Sequence, residues 1–324
     1  MIQNNSFFNK MNEFGLKGRP FLFIIDFEGR NPAIYPLNEI PGDILYDIHG
    51  KGNTGKKIPG HYKDFTFRKY PVSFREYQDK FNRVMQHLKN GDTYLINLTQ
   101  PTMVDTDLSL KEIFEIARAP YRLFFRDVFT VFSPETFIKI RDKRIMTFPM
   151  KGTIDFSIPD ARNILMNDPK EISEHNTIVD LMRNDLSMVA KKVRVDRFRY
   201  LDKINTNDKT ILQASSEISG NLPPDYPGNI GDILKTLLPA GSISGAPKPK
   251  TVDILLETEG YERSYYTGIF GVFDGKNLDS AVMIRYIEKG DKGFVFKSGG
   301  GITSQSDPRK EYQELIDKVY VPIA

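Results

Sequence analysis

The sequence predicts an α+β fold built on antiparallel sheet, and three observations carry that reading. Short apolar segments alternate with tight turns such as Asp274-Gly275 and Lys289-Gly290-Asp291, which suit hairpins rather than the longer βαβ crossovers. Separate amphipathic segments carry helix-capping residues. No repeat, low-complexity tract or clear linker divides the 324 residues, so one unit is the simplest arrangement.

Phe21-Leu22-Phe23-Ile24-Ile25-Asp26 reads as a buried strand. Residues 40–70, rich in Gly, Pro and Lys, read as an irregular, mobile connection. Ser73, with Glu76 three residues on, opens a helix whose Phe74, Tyr77, Phe81, Val84, Met85 and Leu88 recur at helical spacing. Asn90-Gly91 ends it, and a strand follows at 94–98. Further strands are expected at 128–132, 136–140, 268–273, 281–287 and 293–298. Asp168-Pro169 and Asp307-Pro308 open two more helices, because Asp caps and Pro suits the first helical position.

Composition excludes several classes of function. Basic and acidic residues nearly balance, 45 against 42, so there is no electrostatic footprint for nucleic acid. The absence of cysteine removes disulfides, thiolate metal sites and a cysteine nucleophile. No apolar run approaches the roughly 18 residues of a membrane span, and Met1-Ile2-Gln3-Asn4-Asn5 lacks a signal-peptide pattern. A soluble cytoplasmic protein is expected. His49, His61 and His87 lie apart without ligand spacing and read as surface or satisfied histidines.

The helix after Asp168 carries Glu171 and Glu174, and the one after Asp307 carries Glu311 and Glu314. The i, i+3 spacing puts each pair on one helix face near the N-terminus, where the dipole favours acids. Two solvated faces satisfy that pattern as well as a binding site does. Carboxylates about 4 Å apart repel by about 1 kcal/mol in water but about 4 kcal/mol near an interior. If the two helices share a cleft, they need a cation, and all-oxygen ligands favour Mg²⁺ or a similar hard ion.

Two glycine-rich stretches can bring N–H groups to an anion. In Gly241-Ser242-Ile243-Ser244-Gly245-Ala246-Pro247-Lys248, Pro247 stands where a phosphate-binding loop has glycine, so a nucleotide site is rejected. Ser298-Gly299-Gly300-Gly301-Ile302, after a strand and ahead of a helix, reads as a loop whose amides can approach a carboxylate.

Taken in order, these segments resemble the chorismate-binding enzymes: anthranilate, aminodeoxychorismate, isochorismate and salicylate synthases. The resemblance runs over Gly91-Asp92-Thr93-Tyr94-Leu95, Ser133-Pro134-Glu135, Pro149-Met150-Lys151-Gly152-Thr153, Glu174-His175-Asn176-Thr177, the Gly241 to Lys248 stretch, Tyr266-Thr267-Gly268, and Ser306-Asp307-Pro308 with Glu311 and Glu314. It implies an anthranilate-synthase-like α+β sandwich of large antiparallel sheets, with helices outside and the active site in a central cleft. One catalytic domain would span 1–324, with a short N-terminal portion 1–72 and a core at about 73–320. Glu174 and Glu314 would bind Mg²⁺, assisted by Glu171 and Glu311. Arg285, Tyr266 and the Gly300 and Gly301 amides would hold the enolpyruvyl carboxylate of chorismate, with Thr153 and Gln213 also lining the substrate.

Position 151 chooses among the relatives. Lysine there resembles aminodeoxychorismate synthase, where anthranilate synthases carry alanine. The resemblance implies that Lys151 attacks ring carbon 2 while Glu135, as general acid, protonates the leaving C4 hydroxyl. Ammonia then displaces the lysine to give 4-amino-4-deoxychorismate, the precursor of p-aminobenzoate and folate. A separate glutamine amidotransferase subunit would supply that ammonia. Leu95 replaces the lysine that activates water in isochorismate and salicylate synthases. Gln213 stands where many relatives have histidine, with Ser216 expected as its neighbour.

Overall fold

Strand Phe21–Ile25 is buried at all five residues because both of its faces are covered. Leu22 and Ile24 point into a core shared with a second sheet, while Phe21, Phe23 and Ile25 point into a core roofed by helices. The computed structural model describes residues 4–55, 65–205, 210–291 and 293–323. Among them two nine-stranded sheets form, with every strand pair antiparallel.

The first sheet runs Met150–Asp155, Thr210–Asn221, Arg144–Thr147, Thr136–Arg141, Leu278–Val282, Ile269–Phe273, Phe21–Ile25, Ala33–Pro36, with Lys191–Asn205 also on Thr210–Asn221. The second runs Gly245–Ala246, Leu95–Thr106, Gly293–Ile302, Tyr286–Gly290, Phe129–Ser133, Tyr121–Phe125, Ile44–Ile48, Lys51–Gly52, with Phe67–Pro71 on Leu95–Thr106. Leu22, Ile24 and Phe270 of the first sheet meet Ile44, Leu123, Phe129 and Val131 of the second in the sandwich core. Helices Asn5–Leu16, Pro169–Ser187 and Ile230–Leu237 cover the outer face of the first sheet. Helices Phe74–Asn90, Lys248–Glu259 and Pro308–Asp317 cover the second. The expected sandwich with helices outside is the observed one.

Three expectations need correction. Residues 40–70 are not wholly irregular: Ile44–Ile48, Lys51–Gly52 and Phe67–Pro71 are strands, while 56–64, including His61, lie outside the described residues. The strand expected at 281–287 is two strands in different sheets, Leu278–Val282 and Tyr286–Gly290, with the crossover at Met283, Ile284 and Arg285. Apolar patterning could not mark that break, since Ala281 to Ile284 are apolar throughout. Gly299, Gly300 and Gly301 lie within the strand Gly293–Ile302, opposite Thr99, Leu98 and Asn97, rather than in a loop beyond it.

Other expectations hold. Ser73 accepts from the Glu76 amide, and Gly91 ends that helix in the left-handed region at φ 79°. Asp307 caps its helix through the Arg309 and Lys310 amides. Among the described residues no helix is long and apolar enough to cross a membrane.

Gly245, which seats the short Gly245–Ala246 strand on Leu95–Thr106, has φ 133°, and a Cβ there would fall 2.0 Å from the Leu95 carbonyl oxygen. Gly245→Ala should therefore destabilise the fold by roughly 2–5 kcal/mol. Urea unfolding measures this, and an unchanged midpoint would show that the Leu95 strand yields freely.

Candidate active site

The strand Met150–Asp155 is irregular where it matters. Its register against Thr210–Asn221 shifts between Met150 and Thr153, and Gly152 sits at φ 81°. Such a bulge re-aims the side chain beside it. Lys151 Nζ lies 4.0 Å from Glu174 Oε2 on the helix Pro169–Ser187. It also lies 3.1 Å from where a Cβ on Gly301 would stand, as does Leu95 Cδ1. Gly152 leaves room for Glu171 in the same way, since a Cβ there would be 2.7 Å from Glu171 Oε2.

The glycine strand has a second face. A Cβ on Gly300 would stand 3.6 Å from Glu311 Oε2, 3.7 Å from Glu314 Oε1 and 3.7 Å from Lys318 Nζ. Lys318 pairs with Glu314 at 2.6 Å and donates to the Gly299 carbonyl at 2.9 Å. Burial pushes its ammonium below the usual lysine range, with Arg285 and Lys151 adding repulsion and Glu314 opposing. Glu311 and Glu314 thus reach one face of this side-chain-free strand end, while Glu174 approaches Lys151 at its other face.

Backbone alternation separates the glycines' roles. The Thr99 amide donates to Glu259 and the Asn97 carbonyl accepts from Arg263, so both face away from the glycine strand. The ladder bonds then fall between Leu98 and Gly300, which leaves the Gly301 amide on the open edge and spends that of Gly300.

Glu135 follows Ser133-Pro134 at the end of strand Phe129–Ser133. Ser242 Oγ donates to its Oε1 at 2.6 Å. Burial raises the Glu135 carboxyl above its ordinary range, against the Ser242 bond and the charges of Lys151, Lys318 and Arg285. Tyr266, buried, is raised by burial too, with the charges of Arg285 and Glu135 acting on it. Arg285 takes a left-handed φ of 53° at the crossover between sheets, and its Nε is buried with no hydrogen-bond partner among the described residues. A strained arginine with an unspent donor suits an incoming carboxylate.

Lys151, Glu135, Arg285, Tyr266, Gly301, Glu174, Glu311 and Glu314 are thus neighbours, with Glu171 behind Gly152. Thr153 and Gln213 face one another across the strand pair, and among the described residues no hydrogen bond or ion pair joins either to this cluster. Ser216 is not Gln213's partner: it bonds His175 Nε2 at 2.7 Å and accepts from the Arg199 amide at 2.9 Å. Lys248 serves structure, donating to the Leu237 carbonyl and pairing with Asp185 at 2.7 Å. His49 meets Lys139 and His87 meets Asp92, so both are satisfied.

Sequence reasoning missed Ser242 and Lys318. Lys318 had a signal, standing four residues after Glu314 on the same helix face. Ser242 had none, because its partner is 107 residues away.

Residues 51–324 match the model of the chorismate binding enzymes. The chain belongs to that family. A Haemophilus influenzae protein described as PabA-like is 52% identical over 318 residues, covering 98% of this chain and 96% of that one. Aminodeoxychorismate synthase component 1 of Klebsiella aerogenes is 33% identical over 264 residues, 76% of this chain and 57% of that protein. The fold matches MenF, the menaquinone-specific isochorismate synthase of Escherichia coli, with a TM-score of 0.72 at 16% identity, covering 98% of this chain and 80% of that one.

His175, fully buried behind Lys151, is depressed to about 4, chiefly by burial and then by the Arg199 charge. A group depressed on folding contributes stability above its unfolded value of 6.5 and loses it as pH falls toward about 4. Thermal unfolding across that window should show a loss on the order of 2–3 kcal/mol that His175→Gln flattens. Parallel curves for the two proteins would refute the assignment.

Proposed function

We propose that this chain is the chorismate-aminating subunit of an aminodeoxychorismate synthase, with Lys151 as the covalent nucleophile and Glu135 as the general acid. The observation that carries the reading is the Lys151 amine held over the Gly301 backbone, beside Glu174 and within the charge field of Glu135. Both reacting groups face one small region, and the cations Lys318 and Arg285 beside them match a dianionic substrate.

As a free amine, Lys151 attacks ring carbon 2, both ring double bonds shift along carbons 1, 6 and 5, and the bond from C4 to oxygen breaks. Glu135 gives that oxygen its proton, so it leaves as water. A carboxyl raised by burial keeps its proton to a higher pH than an exposed one, which suits a general acid. Ammonia then adds at C4, both double bonds shift back, the lysine leaves carbon 2 as a free amine, and Glu135 takes up the proton shed by the new ammonium, giving 4-amino-4-deoxychorismate. Arg285 and the Gly301 amide orient the enolpyruvyl carboxylate, while Tyr266 forms a buried wall. Leu95, 4% exposed beside Lys151, presents methyl groups where a water-activating side chain would be needed for hydroxylation.

The four glutamates suit a hard divalent ion by donor chemistry, since all are carboxylates, with Glu311 and Glu314 at one face of the glycine strand, Glu174 beside Lys151 at the other, and Glu171 against Gly152. Among the described residues no three acids stand close enough to hold one without adjustment, and Lys151 and Lys318 balance their charge as placed. Glu174 and Glu314, supported by Glu171 and Glu311, would hold Mg²⁺. Bound there, it would neutralise the carboxylate on the chorismate ring. With no cysteine to hydrolyse glutamine, the chain would draw ammonia from a glutamine amidotransferase subunit.

Incubation with chorismate, Mg²⁺ and an ammonium salt should yield 4-amino-4-deoxychorismate by chromatography. Anthranilate or isochorismate as the product would overturn the reading. Lys151→Ala should lower turnover by at least about 100-fold and abolish the mass adduct formed with chorismate alone. Glu135→Gln should lose turnover yet unfold at a higher temperature at pH 7 and above. Its raised carboxyl favours folding in acid, and that stability is lost as pH rises through the folded value.

A further inference from the structure

Glu259 and Arg263 form an ion pair in the interior, 2% and 1% exposed. They close the helix Lys248–Glu259 and the turn that follows it. Every N–H of the guanidinium is used. Nε and Nη2 donate to the two Glu259 oxygens at 2.8 and 2.7 Å. Nη2 also donates to the Asn97 carbonyl at 2.7 Å, and Nη1 donates to the Ile243 carbonyl at 3.0 Å and to Thr267 Oγ1 at 3.2 Å. Glu259 Oε1 in turn accepts the Thr99 amide at 2.8 Å and the Thr99 hydroxyl at 2.7 Å.

The three segments tied together are those next to the reacting groups. Asn97 and Thr99 lie opposite Gly301 and Gly299, so they set the height of the glycine strand. Ile243 follows Ser242, the hydroxyl that holds Glu135. Thr267, itself at a left-handed φ of 62°, follows Tyr266. A buried ion pair is not in itself a source of stability, because desolvation cancels most of its attraction. Three of its five donors, spent on Asn97, Ile243 and Thr267 in three separate segments, instead fix geometry.

We propose that Glu259 and Arg263 are positioning residues that hold the Gly301 strand, the Ser242 bond to Glu135 and the Tyr266 wall in one fixed relation. Neither touches substrate; both act through Ser242, Gly301 and Tyr266. The proposal rests on the reading of chorismate as substrate and Glu135 as general acid.

The test is the pH dependence of kcat for Ser242→Ala and Arg263→Lys. A general acid must be protonated, so activity falls as pH rises through its pKa. Removing the Ser242 bond, which with Lys151, Lys318 and Arg285 holds the Glu135 carboxyl down against the effect of burial, should move that alkaline limb upward. Arg263→Lys keeps the charge but cannot reach Ile243, Asn97 and Thr267 together. It should move the limb in the same direction and lower kcat/KM by roughly 10- to 100-fold. A merely structural role would reduce the active fraction equally at every pH. A limb that moves in Ser242→Ala but not in Arg263→Lys overturns the positioning role. A limb that stays in Ser242→Ala overturns instead the reading of Glu135. Should Arg263→Lys fail to fold, Glu259→Gln, isosteric and still bonded, carries the same comparison with a smaller upward shift expected.

Discussion

The pairing of Gly299, Gly300 and Gly301 with Thr99, Leu98 and Asn97 is the constraint on which the rest of the site depends. A strand end without side chains lets groups reach the backbone from both of its faces. Lys151 and Leu95 come from one side, and Glu311, Glu314 and Lys318 from the other. Side chains at Gly300 and Gly301 would fill the space those groups now share. Three glycines in a strand cost ordering entropy and packing, so the fold must hold them from outside. The Leu95–Thr106 strand does so, and Glu259 and Arg263 hold that strand.

Electrostatic balance follows from the same geometry. Lys151, Lys318, Arg285 and Glu135 lie in one region, with Glu311 and Glu314 against the glycine strand, Glu174 beside Lys151 and Glu171 against Gly152. In isolation each cluster would be repulsive. Lysine opposes carboxylate at both ends, with Lys151 facing Glu174 and Lys318 facing Glu314. The charges of the region are thus offset pair by pair within it, as they are over the nearly neutral chain as a whole.

The two sheets supply rigidity, and the irregularities supply function. Lys151 sits at a bulge, Arg285 at a crossover between sheets, and Thr267 in a left-handed turn beside Tyr266. Each departs from regular strand geometry where a reactive or binding side chain must be aimed. A single strand over 281–287 would have kept Arg285 in one sheet's alternation. The crossover at that point carries it to the seam between the sheets.

Periodicity and capping chemistry determined much from sequence alone. The helix from Ser73, the caps at Asp168 and Asp307, the carboxylate spacings and the antiparallel class all follow from interactions within a few residues. Ordered motifs made Lys151 and Glu135 candidates by resemblance. In 40–70, Lys51–Gly52 and Phe67–Pro71 escaped because short edge strands with charged residues carry no apolar pattern, and Ile44–Ile48, though apolar, is only five residues long beside Gly- and Lys-rich sequence. Ser242, Lys318 and Arg263 escaped because their partners lie far off in sequence or face a site that exists only once the sheets pack. Sequence fixed which residues could act; only tertiary structure decided which of them meet, since that depends on register and long-range contact rather than on local preference.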